Sequence, residues 1–410
     1  KIYTYDFTRI RGKTFSEDLS LRDFSINALG VNLNDKKIKL IDLFNTKKDL
    51  DQKVIRVIKE EVIPQDPLRI LRGFAFSANY GFHIEAKTLR YMIKYKNLIK
   101  NVSKERINEE FFKILSCPNS IKIIKEMDKL KIIDEIIPYI SKVRNVSQGG
   151  YHHLDVWNHS LEALRQFELF WRKTIQNNKD MKDYFDEELV QGRSRTHILK
   201  LACLLHDIGK PLAKKKHEKR TIFHTHEKIG MDLAEDIAVN LKLSLKEKEL
   251  LKKLIFWHLR PGYLADQIVP TERAIYRFFR DTQKEGVAVI ILSFADWRAT
   301  RGPLTDAKKR KRHERIMLGL ANKYFKDQKK KPLPKIVGGD DLIKKFKLKP
   351  GPLIGEVLKK INEEQALGKI KTKTKAYEVA KEIIKKEKGK RIKGKVGTTA
   401  RCPSKRQKTK

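Results

Sequence analysis

From Asp66 almost to its C-terminus this chain repeats apolar residues at spacings of three and four, and that periodicity commits it to helices. Leu68, Leu71, Phe74 and Ala78 set the pattern, and Gly81 ends the first helix. A second helix is expected over 85–99, and a third after Ser103, a suitable N-cap, through Ile107, Phe111, Phe112 and Leu115. Residues 1 to about 60 read instead as strands. Ile26, Ala28, Val31 and Leu33 lead to the turn pair Asn34-Asp35, and Ile38, Leu40, Ile41 and Leu43 return, which predicts a β-hairpin.

Charge narrows the partners. Lys and Arg number 91 against 51 Asp and Glu, a net +40 over 410 residues. Such a surplus points to a polyanion, most simply nucleic acid. Twelve of the basic residues, against one Glu, fall in 385–410, and residues 386–410 are expected to be a disordered basic tail. A Lys-rich surface serving solubility alone is the plainer alternative. The longest apolar run, 286–295, is far short of a membrane span. Three scattered cysteines exclude a disulfide framework, and no apolar leader opens the chain, so a cytoplasmic location is expected. The first residue is Lys1, so the sequence is expected to begin inside a longer protein or to be processed.

Two groups of residues carry chemistry. In Gln65-Asp66-Pro67-Leu68-Arg69, Pro67 suits a first helical turn, so Asp66 stands at or beside the cap. Asp66 and Arg69 are three apart and share a face. A carboxylate accepts from an exocyclic amine while a guanidinium donates to a ring nitrogen or carbonyl. Together they match the Watson–Crick edge of C or A, and not that of G or U. The same pair could equally be a capping Asp with an i,i+3 ion pair.

The second group is ordered histidines and aspartates: His159 in YHHLDVWNHSL, His206-Asp207 ending ILKLACLLHDIGKP, His226 in FHTHEKIG, His258 in IFWHLRPG and Asp296 in FADWRATRG. An unpaired His and Asp at the end of a buried helix would cost several kcal/mol of desolvation, roughly. A divalent cation removes that cost, because neutral imidazole and carboxylate are its natural ligands. His152, His153, His217 and His224 receive no role.

The stretches EDLSLRDFSINA, IDLFNTKKDL and QDPLRILRGFAF, with SKERINEE farther on, resemble in order and spacing the motifs of the class II tRNA nucleotidyltransferase and poly(A) polymerase family. The resemblance implies a nucleotide-binding set of Arg11, Arg22, Asp23, Asp66, Arg69 and Arg72, with Arg22 and Asp23 on ribose and phosphates and Asp66 and Arg69 choosing CTP and ATP. It also implies RNA contact at Arg106, Asp42 in a flexible element, and Mg²⁺ for nucleotidyl transfer. Two departures stand out: Gln65 replaces the family's Glu, and Ala75 replaces an Arg. The family's metal-binding D-x-D pair has no counterpart in matching context, and Asp6 is the sole candidate for a further acidic strand residue. The expectation is therefore a chain lacking the amino-terminal half of the catalytic head.

The order His, His-Asp, Asp resembles the HD metal-dependent phosphohydrolase superfamily, with His159, His206, Asp207 and Asp296 as core ligands, and His226 and His258 as those of a second cation. Mn, Ni, Co or Fe would suit it, and Lys210 stands to meet a phosphate. A subset of bacterial tRNA nucleotidyltransferases carries such a domain.

The expected architecture is mainly α. It runs from a remnant of an α/β nucleotidyltransferase head (1–60), through a helical nucleotide- and RNA-binding neck (61–145), to an all-α HD domain (146–330), a C-terminal helical region (331–385) and the tail (386–410). The expected activity is addition of CMP and AMP from CTP and ATP to the 3′ end of tRNA or another RNA. Three alternatives stand beside it: an HD phosphohydrolase or phosphodiesterase acting on nucleotides or RNA ends, a poly(A) polymerase, and a non-catalytic RNA-binding remnant.

Overall fold

The computed structural model describes residues 9–396, apart from 35, 36, 38, 218, 219 and 332. Asp6, Asp35, Ile38 and the end of the basic stretch, 397–410, lie outside the described residues.

The hairpin forms, but it is short: Leu29–Val31 pairs antiparallel with Leu40–Asp42. Much of the remaining N-terminal stretch is helical rather than strand. Thr14 accepts from the Glu17 amide at 3.2 Å and caps helix Phe15–Ser20. Asp42 accepts from the amides of Thr46 (2.7 Å) and Lys47 (3.1 Å) and so holds the start of helix Thr46–Asp51. Short polar side chains that bond nearby amides give the backbone an alternative to a ladder, and here they win over the apolar alternation. A 3₁₀ turn, Ser25–Asn27, is strapped down where the Ser25 amide donates to Arg56 O (2.8 Å) and the Ile58 amide to Asp23 O (3.1 Å).

The neck follows its periodicity. Helices Leu68–Tyr80, Ala86–Tyr95, Lys104–Ser116 and Ser120–Lys129 bury their apolar faces, and Leu68–Tyr80 packs on Lys104–Ser116. Ser103 takes the N-cap position, although its side chain makes no capping bond. Farther on, helix Val156–Lys173 lies against Gly286–Ala299 and Arg195–Leu205, and His226–Asn240 against Leu245–Trp257. Helix Gly286–Ala299 is buried almost all round, which its unbroken apolar run requires. A tight turn joins Glu188–Val190 to Arg193–Ser194 as an antiparallel pair.

A polar latch ties the neck to these helices. Asn108 on Lys104–Ser116 donates to Leu241 O and accepts from Arg193, which pairs in turn with the fully buried Glu247 at 3.0 Å. Arg193 also lies over the Phe112 ring, 4.7 Å from its centroid.

The chain divides into two compact units. One comprises the residues up to Asp266 together with Lys284–Ala321. The other comprises Gln267–Gln283 and the residues from Asn322 onward. Within the second, helix Glu272–Thr282 packs with the C-terminal helices, around a core that includes Leu342, Val357, Ile361 and Ile370. Glu363 anchors the contact by accepting from Arg277 (2.9 Å) and Arg273 (3.1 Å). Helix Gly339–Phe346 is capped by Asp341, whose carboxylate accepts from the Gly338 amide at 2.8 Å. The last helix runs Lys373–Val396, into the stretch whose composition suggested disorder. No described helix is long and apolar enough to cross a membrane, and Cys117 and Cys203 are buried free thiols.

Candidate metal centre and nucleotide-binding motifs

Five helices deliver the histidine and aspartate groups to one place. His159 lies in the first turn of Val156–Lys173, whose start Asp155 caps by accepting from the Asn158 amide (2.7 Å). His206 and His258 are the C-caps of Arg195–Leu205 and Leu245–Trp257, His226 opens His226–Asn240, and Asp296 belongs to Gly286–Ala299. The turn after Asp207 can approach the His226 helix because residue 209 is glycine. A Cβ there would overlap the His226 carbonyl oxygen.

The six side chains form two triads, His159/His206/Asp296 and Asp207/His226/His258, each with its ligand atoms within 4.8 Å of one another. His159 Nε2 lies 2.8 Å from Asp296 Oδ1. Asp207 faces both triads, with Oδ2 3.3 Å from His206 Nε2 and Oδ1 3.4 Å from His226 Nε2. The second nitrogens are anchored. Nδ1 of His206 donates to Cys203 O (3.0 Å), that of His226 to Phe223 O (2.7 Å) and that of His258 to Ile255 O (2.6 Å). This fixes the tautomer and leaves each Nε2 lone pair facing the cage, buried and without a hydrogen-bond partner. A divalent cation satisfies these atoms, so the residues present fit one.

Where no cation supplies positive charge, the cage raises one on His206 itself. Burial acts against a charge on His206, but Asp207 and Asp296 outweigh it and push its pKa up to about 10. Burial, reinforced by His206 and His226, drives His258 down to about 3. Both carboxyls sit well below their usual range despite burial, Asp207 through Lys210 and His206, and Asp296 through His159 and His206. Lys210 Nζ lies 2.6 Å from Asp207 Oδ2 and donates to Gln148 Oε1 at 2.5 Å. Gln148 was not singled out in the sequence, because nothing local ties it to a residue 62 positions away. The cage opens into a cavity of about 660 Å³.

The N-terminal motifs are brought together by side-chain bonds. Asp23 is buried, 2.8 Å from Arg72 Nε, and accepts from the Phe24 amide (3.0 Å) and Asn27 Nδ2 (2.7 Å). Arg22 pairs with Asp18 at 3.1 Å, and Asp18 also accepts from the Arg11 amide (3.0 Å). Asp66 and Arg69 do not pair with each other. Asp66 Oδ2 lies 2.8 Å from Arg106, while Arg69 Nη1 and Nη2 donate to Val62 O and Leu21 O, both at 3.0 Å. These bonds fix the guanidinium plane. Asp42 accepts from the two amides it caps.

Comparison with known proteins follows the same order along the chain. Residues 4–56 match the model "Poly A polymerase head domain", 81–143 "Probable RNA and SrmB- binding site of polymerase A", and 150–301 "HD domain". Residues 311–380 match a model of tRNA nucleotidyltransferase domain 2. The A-adding tRNA nucleotidyltransferase of Deinococcus radiodurans is 28% identical over 368 residues, which cover 87% of this chain and 76% of that protein. The CC-adding tRNA nucleotidyltransferase of Thermus thermophilus is 28% identical over 382 residues, 91% of this chain and 78% of that protein. Among solved structures, the Thermotoga maritima CCA-adding enzyme complexed with tRNA aligns with a TM-score of 0.55 at 20% identity, covering 91% of this chain and 74% of that one. Head motifs, neck, imidazole cage and following domain thus stand in the order of the four matching models, and nearly the whole chain is similar to tRNA nucleotidyltransferases.

Proposed function

We propose that this chain acts in tRNA 3′-end processing, as a nucleotidyltransferase adding CMP or AMP from CTP or ATP. The observation that carries the reading is the alignment of nearly the whole chain with A-adding and CC-adding tRNA nucleotidyltransferases. Arg22, Asp23 and Arg72, with Arg11 beside them, hold ribose and phosphates. Asp66 and Arg69 present an acceptor and a fixed donor plane to the base edge, and Arg106, paired with Asp66, meets the RNA. Mg²⁺ serves the transfer step, and the compartment is the cytoplasm.

Binding tests the reading directly. Calorimetry of the full chain should give tighter binding for CTP and ATP than for GTP and UTP, with the preference lost in Asp66→Ala. Equal affinity for all four nucleotides overturns it.

A second activity, metal-dependent phosphohydrolysis, is favoured by the three buried imidazole nitrogens that lack a partner. A bound cation such as Mn, Ni, Co or Fe would lower the pKa of its water and neutralise phosphate charge. The residues His159, His206, Asp207 and Asp296, with His226 and His258, hold and orient it, and Lys210 meets the phosphate from the wall. His206→Ala should abolish metal-dependent hydrolysis of a phosphate ester, and metal analysis showing no bindable divalent ion removes the reading.

A further inference from the structure

Helix Ala307–Gln328 begins against two elementary rules. Residues 308–315 read Lys-Lys-Arg-Lys-Arg-His-Glu-Arg, six cations against one carboxylate. No acidic residue stands in the first turn. The start of a helix carries partial positive charge, so cations there are unfavourable, and like charges three or four residues apart repel. The chain obeys the rule elsewhere: Glu17 and Asp18, Glu247, Glu272, and Asp340 with Asp341 open their helices. A surface kept basic for solubility alone would mix the signs. A cost concentrated in one stretch points to an anion that offsets it.

The inner face of this helix is committed. His313 is 1% exposed, stacks on Trp297 with centroids 4.0 Å apart and lies 3.2 Å from Asp266, and Met317 and Leu320 are buried farther along. Several of the nearby charges are also taken. Glu314 accepts from Arg298 Nε (3.0 Å) and Nη2 (2.8 Å), Lys309 pairs with Asp266 at 2.9 Å, and Arg310 lines the cavity beside the cage. The Asp306 carboxylate accepts from the amides of Lys308 (2.8 Å) and Lys309 (3.3 Å), so the helix start has no need of an anion for its backbone. Lys308, Lys311 and Arg315 remain, all exposed. Their spacing of three and four puts them on one face, about 10 Å from end to end. Among the described residues none of the three has a carboxylate partner.

The chemistry of the face selects its partner. Single strands are held by rings that stack the bases as well as by cations, and residues 308–319 contain no Phe, Tyr or Trp. A double helix turns its backbone outward and carries roughly one negative charge per 2 Å of axis, so cations spread over about 10 Å can each meet a phosphate. We propose that Lys308, Lys311 and Arg315 form a backbone grip for a double-helical arm of the RNA substrate. The grip stands apart from the nucleotide-binding motifs and the neck, and it reads no sequence. The proposal rests on the tRNA reading and adds to it a place where the duplex is held.

The test measures binding of the full chain to a tRNA transcript, and to a short single strand of the same 3′ sequence, over a salt series. Lys308→Gln with Lys311→Gln and Arg315→Gln should weaken tRNA binding about tenfold or more at ~100 mM salt and lower the slope of log affinity against log salt by about two to three, while the single strand loses less than about twofold. The melting temperature of this variant should hold or rise, because repulsion at the helix start is relieved. A second variant, Lys173→Gln with Lys179→Gln and Lys246→Gln, removes the same charge from exposed lysines elsewhere and should change the slope by less than about one. An unchanged slope in the first variant, an equal drop in the second, an equal loss for the single strand, or lost binding with a lowered melting temperature overturns the grip and leaves the tRNA reading standing. An unaltered chain that binds no tRNA even at low salt overturns that reading and the grip with it.

Discussion

Gly209 shows how one missing methyl group can decide a centre. The turn carrying Asp207 reaches the His226 helix only because position 209 has no Cβ to meet the His226 carbonyl and the Gly230 amide, backbone atoms that cannot rotate away. Gly209→Ala is expected to cost about 1–3 kcal/mol, as other overpacking does, and to part the two triads at the Asp207 bridge. Urea unfolding and the metal content of the purified variant would check this, and a variant with full stability and full metal content would refute it. His206 and Asp207 stood out in the sequence as candidate ligands because polar residues ending the apolar helix Arg195–Leu205 demand a partner. Gln148 did not. Its place beside the cage comes from its bond to Lys210, 62 positions away, and nothing in its own neighbourhood marks it.

At the level of elements, one carboxylate pins helix Glu272–Thr282 to the C-terminal helices. Glu363 is held down to about 2 by its bonds to Arg277 against the effect of burial, with Lys360 adding to the pull. A carboxyl whose folded pKa lies below its unfolded value contributes stability above the unfolded value, and loses it as pH falls through the folded one. Glu363→Gln should therefore destabilise the chain near neutral pH by about 1–2 kcal/mol, given that its arginine partners are partly exposed. The difference from the parent should vanish as pH drops toward 2; chemical denaturation across that range decides, and a pH-independent difference would count against the ion pair. Helices such as Leu68–Tyr80 and Lys104–Ser116 could be read from spacing alone, since their buried faces repeat at the helical period. The N-terminal stretch could not. Its apolar residues alternate as strands do, while Thr14 and Asp42 turn the backbone into short helices by bonding amides a few residues away. The grouping of Glu272–Thr282 with the C-terminal helices was equally hidden, because it rests on arginines meeting a glutamate some 86 positions later.

Over the whole molecule the net charge of +40 is the dominant long-range property. Binding of tRNA should release counterions, so affinity is expected to fall about a hundredfold or more between ~50 and ~200 mM salt. Filter binding over a salt series measures the slope, and a flat response would refute a backbone-led interface. The latch of Asn108, Arg193 and Glu247 adds a constraint of another kind. It bolts the segment that meets RNA in relatives' family models to the scaffold of the imidazole cage. Neck and cage fall within one compact unit. A strand held at the first that was also to reach the second would have to bend or slide there, its own slack setting how far it can go.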